Sequence, residues 1–305
     1  IFGLDIEEFE YAYCLDGPYD EGKGLLFDKK KPLLDIYAKA VTGQSVWGTK
    51  NPEGSFYKAR VVQDRFDWGK DRNPLLPMED LVIYELHVRG FTRHASSSVF
   101  HPGTFSGIME KIPYLKELGV NAVELMPIFE FDEMKDSREV DGKTLIDYWG
   151  YNPVSFFAPN TSYAAEIEYN REGTELKELI RTLNQNGIEC FLDVVFNHTA
   201  EGNKQGPCFS FKGFDNNIYY MLTPNGYYYN YSGCGNTLNC NHPIVRQLIL
   251  DCLRYWTTAY HVDGFRFDLA PILARDHIQY SINSGFFRAV AEDPVLTHVK
   301  LIAEP

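Results

Sequence analysis

From Leu81 onward the sequence predicts an α/β fold, a parallel sheet with helices packed outside it, and three observations carry that prediction. Short apolar stretches of strand length alternate with longer stretches of helical period. One of the strands, Ile188 to Phe196, is apolar along nearly all its length, as a strand covered on both faces must be. Polar residues gather at the carboxyl ends of successive strands, where parallel α/β folds keep their chemistry. A doubly wound sheet is the rival. It would usually place a Gly-rich turn after its first strand, and His87-Val88-Arg89-Gly90-Phe91 is not one.

Residues 1–77 read differently from the rest. Phe9-Glu10-Tyr11-Ala12-Tyr13 alternates like a strand, Asp16-Gly17-Pro18 turns it, and Pro, Gly and Lys then recur without a helical period. The stretch reads as the tail of a small β-rich module plus a connector ending near Asn73-Pro74, with Lys29-Lys30-Lys31 a solvated turn. The first strand of the α/β region is Leu81 to Val88. A helical stretch follows with Ile108, Ile112, Leu115 and Leu118 on one face and a stop at Gly119, and Pro113 kinks or splits it. Val120 to Met126 is the second strand, closed by Pro127. An irregular segment, roughly 127–171, leads to a helix with Thr174 as N-cap, Leu176, Leu179, Ile180 and Leu183 on its face, and Gly187 beyond its end. Ile188 to Phe196 is the third strand.

A second insertion, about 199–241, is full of Gly, Asn and Tyr. Pro243 then stands where a first helical residue belongs, and Val245, Leu248, Ile249, Cys252, Leu253 and Trp256 make an amphipathic helix. Val262 to Asp268 is the fourth strand and Val299 to Ala303 the fifth. Both insertions follow strands, so they lie over the carboxyl-end face and can roof a site there. There is no internal repeat and no low-complexity tract.

The net charge of -13 argues against a nucleic-acid backbone as partner and suits a neutral or cationic ligand. Aromatics at 15%, with 20 Tyr, fit sugar stacking and fit a large aromatic core equally. The six cysteines have no metal-ligand spacing and are expected as free thiols, Cys234 and Cys240 being the pair that could bridge a loop. No signal peptide and no apolar run of membrane-spanning length is found. The start at Ile1, in mid-pattern, sets the expectation that an N-terminal piece is absent.

The fourth strand carries the chemistry. Side chains alternate across a strand, so Gly264, Arg266 and Asp268 share one face while Phe265 and Phe267 share the other. A neighbouring guanidinium would hold Asp268 ionised, as a nucleophilic carboxylate requires; a buried structural Arg–Asp pair has the same pattern. The third strand ends in Asp193 and then Asn197-His198, and the fifth in Glu304. Taken singly, Asn197-His198 also fits a loop cap and Glu304 a solvent-facing residue before a proline. Three strands repeating the pattern converge on one pocket. Two carboxyl groups in such a pocket are what glycosidic cleavage uses: Asp268 attacks the anomeric carbon, and Glu304, its pKa raised by apolar surroundings, protonates the leaving oxygen. Retention of configuration needs the two carboxyls about 5–5.5 Å apart.

Asp193-Val194-Val195-Phe196-Asn197-His198, Gly264-Phe265-Arg266-Phe267-Asp268 and Ala303-Glu304-Pro305 resemble three ordered signature regions of the alpha-amylase superfamily of glycoside hydrolases. Tyr84-Glu85-Leu86-His87-Val88-Arg89, Tyr148-Trp149-Gly150-Tyr151-Asn152-Pro153 and the run from Asn230 through Ser232-Gly233-Cys234-Gly235-Asn236-Thr237 to Asn241-His242-Pro243 narrow the resemblance to isoamylase-type starch and glycogen debranching enzymes. It covers nearly all of residues 80–305; residues 1–77 resemble, less sharply, the β-sandwich carbohydrate-binding module and linker of that group. The resemblance implies a (β/α)8 TIM barrel, incomplete here at about strands one to five, with residues 78–305 as its N-terminal part.

It also implies roles. Asp268 matches the nucleophile and Glu304 the general acid/base, while Arg266 orients and charges the nucleophile. Asp193 and His198 match residues that hydrogen-bond the sugar, Tyr151 the ring stacked beneath it, and Trp149 lines the same subsite. Asn197 matches a structural position that binds calcium in many amylases; no cofactor is required, no metal ligand is assigned, and calcium here is left open. Tyr227, Tyr228, Tyr229 and Tyr231 could stack glucose units or simply pack.

The family has a further signature region, a His-Asp pair after a later strand, which this chain does not reach. Its 305 residues are therefore expected to belong to a longer chain, and this piece alone to lack debranching activity and to aggregate. The function implied is hydrolysis of alpha-1,6 branch points in glycogen, amylopectin or limit dextrin by a retaining double displacement. A branching or trehalose-releasing enzyme and a non-catalytic glucan-binding partner subunit are the alternatives. The partner is a branched alpha-glucan, with no nucleic acid and no membrane; the oligomeric state is not specified. The location is cytoplasmic, with plastid the alternative.

Overall fold

A computed structural model of the chain describes residues 3–6, 8–42, 46–166, 168–276 and 278–305. Its centre is a five-stranded parallel sheet built from β1 (Ile83–Leu86), β2 (Ala122–Leu125), β3 (Glu189–Val194), β4 (Gly264–Phe267) and β5 (Lys300–Ala303). The strands lie in the order β5-β4-β3-β2-β1, so each is beside its neighbour in sequence and β1 and β5 form the edges. All six residues of β3 are buried, which is why its sequence is apolar throughout its middle. Strand extents are shorter than the apolar runs suggest: His87 caps the short helix Val88–Arg93, so Val88 is helical rather than the last residue of a strand.

Register aligns the polar positions. Asp193 pairs with Arg266 and Arg266 with Ile302, while Phe191 pairs with Glu124 and with Gly264. Paired residues share a sheet face, so Glu124, Asp193 and Arg266 point to the same side. Phe265 and Phe267 point the other way and are buried under the helices.

The helices follow from local chemistry, the split at Pro113 included, with two departures. The predicted helix around Pro113 is split into α1 (Phe105–Met109) and α2 (Ile112–Glu117), with the proline in the first turn of α2, where its missing N–H costs nothing. Leu118 is exposed rather than on the apolar face, because α2 ends at Glu117 and the left-handed Gly119 redirects the chain. Helix α3 (Arg171–Gln185) begins before Thr174, after Asn170, so Thr174 is not its cap. Two buried acids pull the start forward. Glu172 is ion-paired with Arg60, and Glu175 accepts the N–H groups of Ala165 and Glu166 and the hydroxyl of Ser106.

Segment 127–171 is less irregular than expected. Phe129–Glu130 pairs antiparallel with Ser155–Pro159, and Arg138–Val140 with Lys143–Leu145. Insertion 199–241 holds α4 (Phe211–Tyr219), whose start is organised by one buried carboxylate. Glu201 accepts the N–H groups of Phe209, Ser210 and Lys212 and the hydroxyl of Tyr220. Glu201→Ala would strand all four donors, and we expect a stability loss of about 3–5 kcal/mol, read from urea midpoints. Helix α5 (Pro243–Tyr260) opens at Pro243 as the sequence predicts, and all six residues of its apolar face are buried; the structure adds His242 as its cap.

Before residue 61, Glu10–Tyr11, Lys58–Arg60 and Val41–Thr42 form a small antiparallel sheet, and Tyr19–Asp20 pairs with Leu25–Leu26. Leu34, Ala38, Val41 and Ala59 from this region pack against Val154, Ala158, Ala200 and Phe209. Lys29–Lys31 lies on an exposed turn, with Lys29 bonded to Asp16. The six cysteines are free thiols. Among the described residues no helix is long and apolar enough to cross a membrane.

Candidate active site

Every strand from β2 to β5 sends an acid or a base towards one point, and Arg266 is the point. Its Nη1 lies 3.0 Å from both oxygens of Asp193 and 3.3 Å from Oδ1 of Asp268, and its Nη2 lies 2.7 Å from Oε1 of Glu304. Glu124 on β2 comes within 4.0 Å of its Nε. A planar guanidinium with five donors can span carboxylates on both flanking strands in this way, and a lysine ammonium cannot.

Asp268 stands one residue past β4. Asn197 donates its amide to Oδ2 of Asp268 at 2.6 Å and to its carbonyl at 3.0 Å. Glu304, one residue past β5, accepts the backbone N–H of Leu269 on Oε2 at 2.9 Å. Leu269 adopts a left-handed conformation, φ 43°, to aim that N–H, a conformation that usually costs a non-glycine residue on the order of 1 kcal/mol. Glu304 therefore has polar partners at both oxygens, not the apolar surroundings that its place after an apolar strand suggested.

The carboxyls of Asp268 and Glu304 stand together on the Arg266 guanidinium, one on Nη1 and the other on Nη2. Burial raises Asp268 above the usual carboxylate range, and Glu304 adds to this; Asn197 and Arg266 oppose it. The guanidinium alone thus does not keep Asp268 ionised, because its charge is divided among several acids.

The remaining predicted residues split into two groups. Trp149, Tyr151, His198, Arg266, Asp268 and Glu304 line one open cavity of about 680 Å³, together with Glu85, His87, Met126, Cys234 and others. Trp149 is largely exposed and sits edge-on to Tyr151. Asp193 does not reach that cavity. It is wholly buried, with both oxygens on Arg266 and one also accepting the Tyr151 hydroxyl, so the expected sugar contact is closed off in this arrangement. His198 is buried between Asn197 Oδ1 and the Tyr151 carbonyl, and burial pushes its imidazole down to about 4, leaving it neutral at pH 7. Of the tyrosines beyond the cavity, Tyr229 and Tyr231 stack on each other at 5.7 Å and Arg275 covers Tyr231, while Tyr227 is exposed.

The surroundings of Asn197 do not fit calcium. Its amide nitrogen is spent on Asp268 and its oxygen faces His198, whereas calcium takes six to eight oxygens. Glu85, Glu124 and Asp193 offer carboxylate oxygens within 4.8 Å of one another, but Arg266 already supplies the positive charge there.

Glu124, Leu269 and Cys234 are the positions that sequence reasoning passed over. The alternation of Ala122, Val123 and Glu124 could have flagged Glu124 as inward-facing. Nothing local could have flagged the Leu269 N–H, which depends on its left-handed backbone.

Two expected results follow from these electrostatics. Arg266→Met removes the cation that, among the described residues, holds the buried Asp193, and we expect it to lower stability by about 3–5 kcal/mol; a denaturation curve within about 1 kcal/mol of the parent contradicts the central place given to this residue. The second concerns pH. Burial pushes Asp193 and Asp263 up to about 7 and Glu130 up to about 8. These groups keep their protons in the folded chain after the unfolded chain has released them near pH 4, so their stabilisation is complete at low pH and is lost as pH climbs through 7 and 8. His198 acts in the opposite sense only between about 4 and 6.5. Unfolding free energy should fall by about 1–3 kcal/mol between pH 6.5 and 8, measured by chemical denaturation.

Residues 60–225 match the alpha-amylase family, described as the alpha amylase catalytic domain. The chain is 44% identical to Isoamylase 1, chloroplastic, of Arabidopsis thaliana over 98% of its own length and 42% of that protein. It is 42% identical to the glycogen operon protein GlgX homolog of Mycobacterium tuberculosis over 97% of its length and 44% of that protein. Among solved structures, pullulanase type I from Bacillus subtilis complexed with maltose superposes with a TM-score of 0.68 at 30% identity, covering 91% of this chain and 38% of that one. The chain spans about two fifths of the length of the curated relatives it matches.

Proposed function

From the premise that this chain belongs to the alpha-amylase family, its relatives including isoamylases and GlgX homologues, we propose that it carries the catalytic centre of an enzyme that hydrolyses alpha-1,6 branch points of glycogen, amylopectin or limit dextrin with retention. The observation that carries this reading is the meeting of Asp268 and Glu304 on one guanidinium at the floor of an open cavity. Asp268 attacks the anomeric carbon as Glu304 gives its proton to the departing O6. The glycosidic bond breaks, leaving the sugar esterified to Asp268. A water that loses its proton to Glu304 then attacks the same carbon and frees Asp268.

Arg266 orients Asp268 and spreads its charge, with Asp193 as its buried anchor. Asn197 fixes the second oxygen of Asp268. Tyr151 supplies the ring beneath the sugar, Trp149 a wall, and His198, held on Asn197 and the Tyr151 carbonyl, a neutral ring that positions both. No cofactor enters any step. The five-stranded sheet is read as the first five strands of a (β/α)8 barrel, with residues 78–305 its N-terminal part. Residues 1–77 are read as the remnant of a β-rich carbohydrate-binding module and linker, supported by the short antiparallel pairs there; the family match reaches back to residue 60. The chloroplastic relatives support a plastid location and the bacterial ones a cytoplasmic location.

The test compares the natural full-length protein on branched and linear glucan. Release of reducing ends from amylopectin with a rise in iodine staining, and none from amylose, is the expected result. Cleavage of amylose, or transfer of chains without hydrolysis, would overturn it.

A further inference from the structure

In insertion 199–241, Lys212 is only 2% exposed. Its ammonium donates to three backbone carbonyls of one short loop: Glu201 at 2.7 Å, Asn203 at 2.5 Å and Gly206 at 3.5 Å. The ring of Tyr228 lies 4.9 Å away on another side. Carbonyl oxygens turned towards a single point are how proteins replace the hydration shell of a potassium ion. The convergence is built in, because a Cβ at Gly206 would collide with the Glu201 carbonyl. Burial pushes the ammonium down to about 8, against the pull of the Glu201 charge, so the centre is cationic at pH 7.

We infer that Lys212 is a built-in cation, filling a carbonyl cage that accepts a free monovalent cation, potassium or a small alkylammonium, once the side chain is cut back. A divalent ion is disfavoured by the donor set. The carbonyls are neutral, and the Glu201 carboxylate is occupied by three N–H groups and a tyrosine hydroxyl, so no free anionic ligand is offered. The cage also has a position in the cleft. Asn203 and Gly206, two of its three carbonyl donors, line a polar cavity of about 660 Å³ that shares Tyr151 and Cys234 with the carboxylate cavity. The charge at 212 thereby holds a loop that lines the cavity next to that of Asp268 and Glu304.

The experiment is Lys212→Ala in the full-length protein, with thermal midpoints in potassium, ethylammonium and tetramethylammonium chloride at equal ionic strength. The expected result is a midpoint about 5–10 °C below the parent, recovered by at least half in ethylammonium or potassium and not in tetramethylammonium, which is too large for the cage. Lys212→Met, which keeps the stem and removes the charge, should melt low in every salt, its stem blocking the cage. A Lys212→Ala protein that stays low-melting or unfolded in all three salts overturns the inference, as does a Lys212→Met protein as stable as the parent. Neither readout depends on glucan hydrolysis, so failure of the debranching reading leaves this test intact.

Discussion

Asp268→Asn in the full-length protein lowers debranching turnover by about 10⁴-fold or more, with folding and glucan binding close to the parent. The amide is nearly isosteric with the carboxyl, and its one oxygen keeps the bond from Arg266 or from Asn197 while its NH2 faces the other donor, so the shape is kept at the cost of one of these two hydrogen bonds. What it cannot do is form the ester bond to the anomeric carbon. The loss should appear in kcat, with KM little changed, because the change removes a bond made only along the reaction path. Parent-like turnover would defeat the assignment of Asp268 as nucleophile.

Glu304→Gln gives the second large effect, with a different signature. General acid catalysis contributes about 10²–10⁴-fold, and its weight depends on how badly the leaving group needs a proton. Loss of that magnitude is expected on branched glucan, whose leaving group is an alcohol. On a glucosyl fluoride the first step needs little protonation, so that step should survive while hydrolysis of the covalent intermediate slows. An equal loss on both substrates would show that Glu304 serves structure, through Arg266 and the Leu269 N–H, and not proton transfer.

How much of this was legible in the sequence depended on how local the cause was. Helix α5 is legible to its first residue because an N1 proline and an apolar face are written within one stretch, whereas its His242 cap shows only in the structure. Strand β4 was legible for the same reason: two-residue alternation separates Phe265 and Phe267 from Arg266 before any partner is known. The start of α3 was misread because its determinants are distant. Arg60 approaches Glu172 from more than a hundred residues away, and no local period carries that information. Helix α4 escaped notice because Glu201, not an apolar stripe, organises its first turn.

The candidate site shows the same division. Polar residues at three strand ends point to one neighbourhood, and register brings Asp193, Asp268 and Glu304 onto Arg266. Sequence could not show how one guanidinium is shared. With four acids around it, Arg266 neutralises none of them fully, and burial rather than charge pairing decides the direction in which Asp193 and Asp268 shift. Nor could it show that Asp193 is covered by Tyr151 and lies outside the cavity.

The claim everything else rests on is that a sugar bonds covalently to Asp268 while Glu304 attends its other side. Trapping the full-length Glu304→Gln protein with a fluorinated α-glucosyl fluoride and mapping the added mass by peptide sequencing tests it directly. The account predicts one glycosyl group, on Asp268. A label on Glu124, Asp193 or any other carboxylate, or an unlabelled protein that still consumes the reagent, would contradict it.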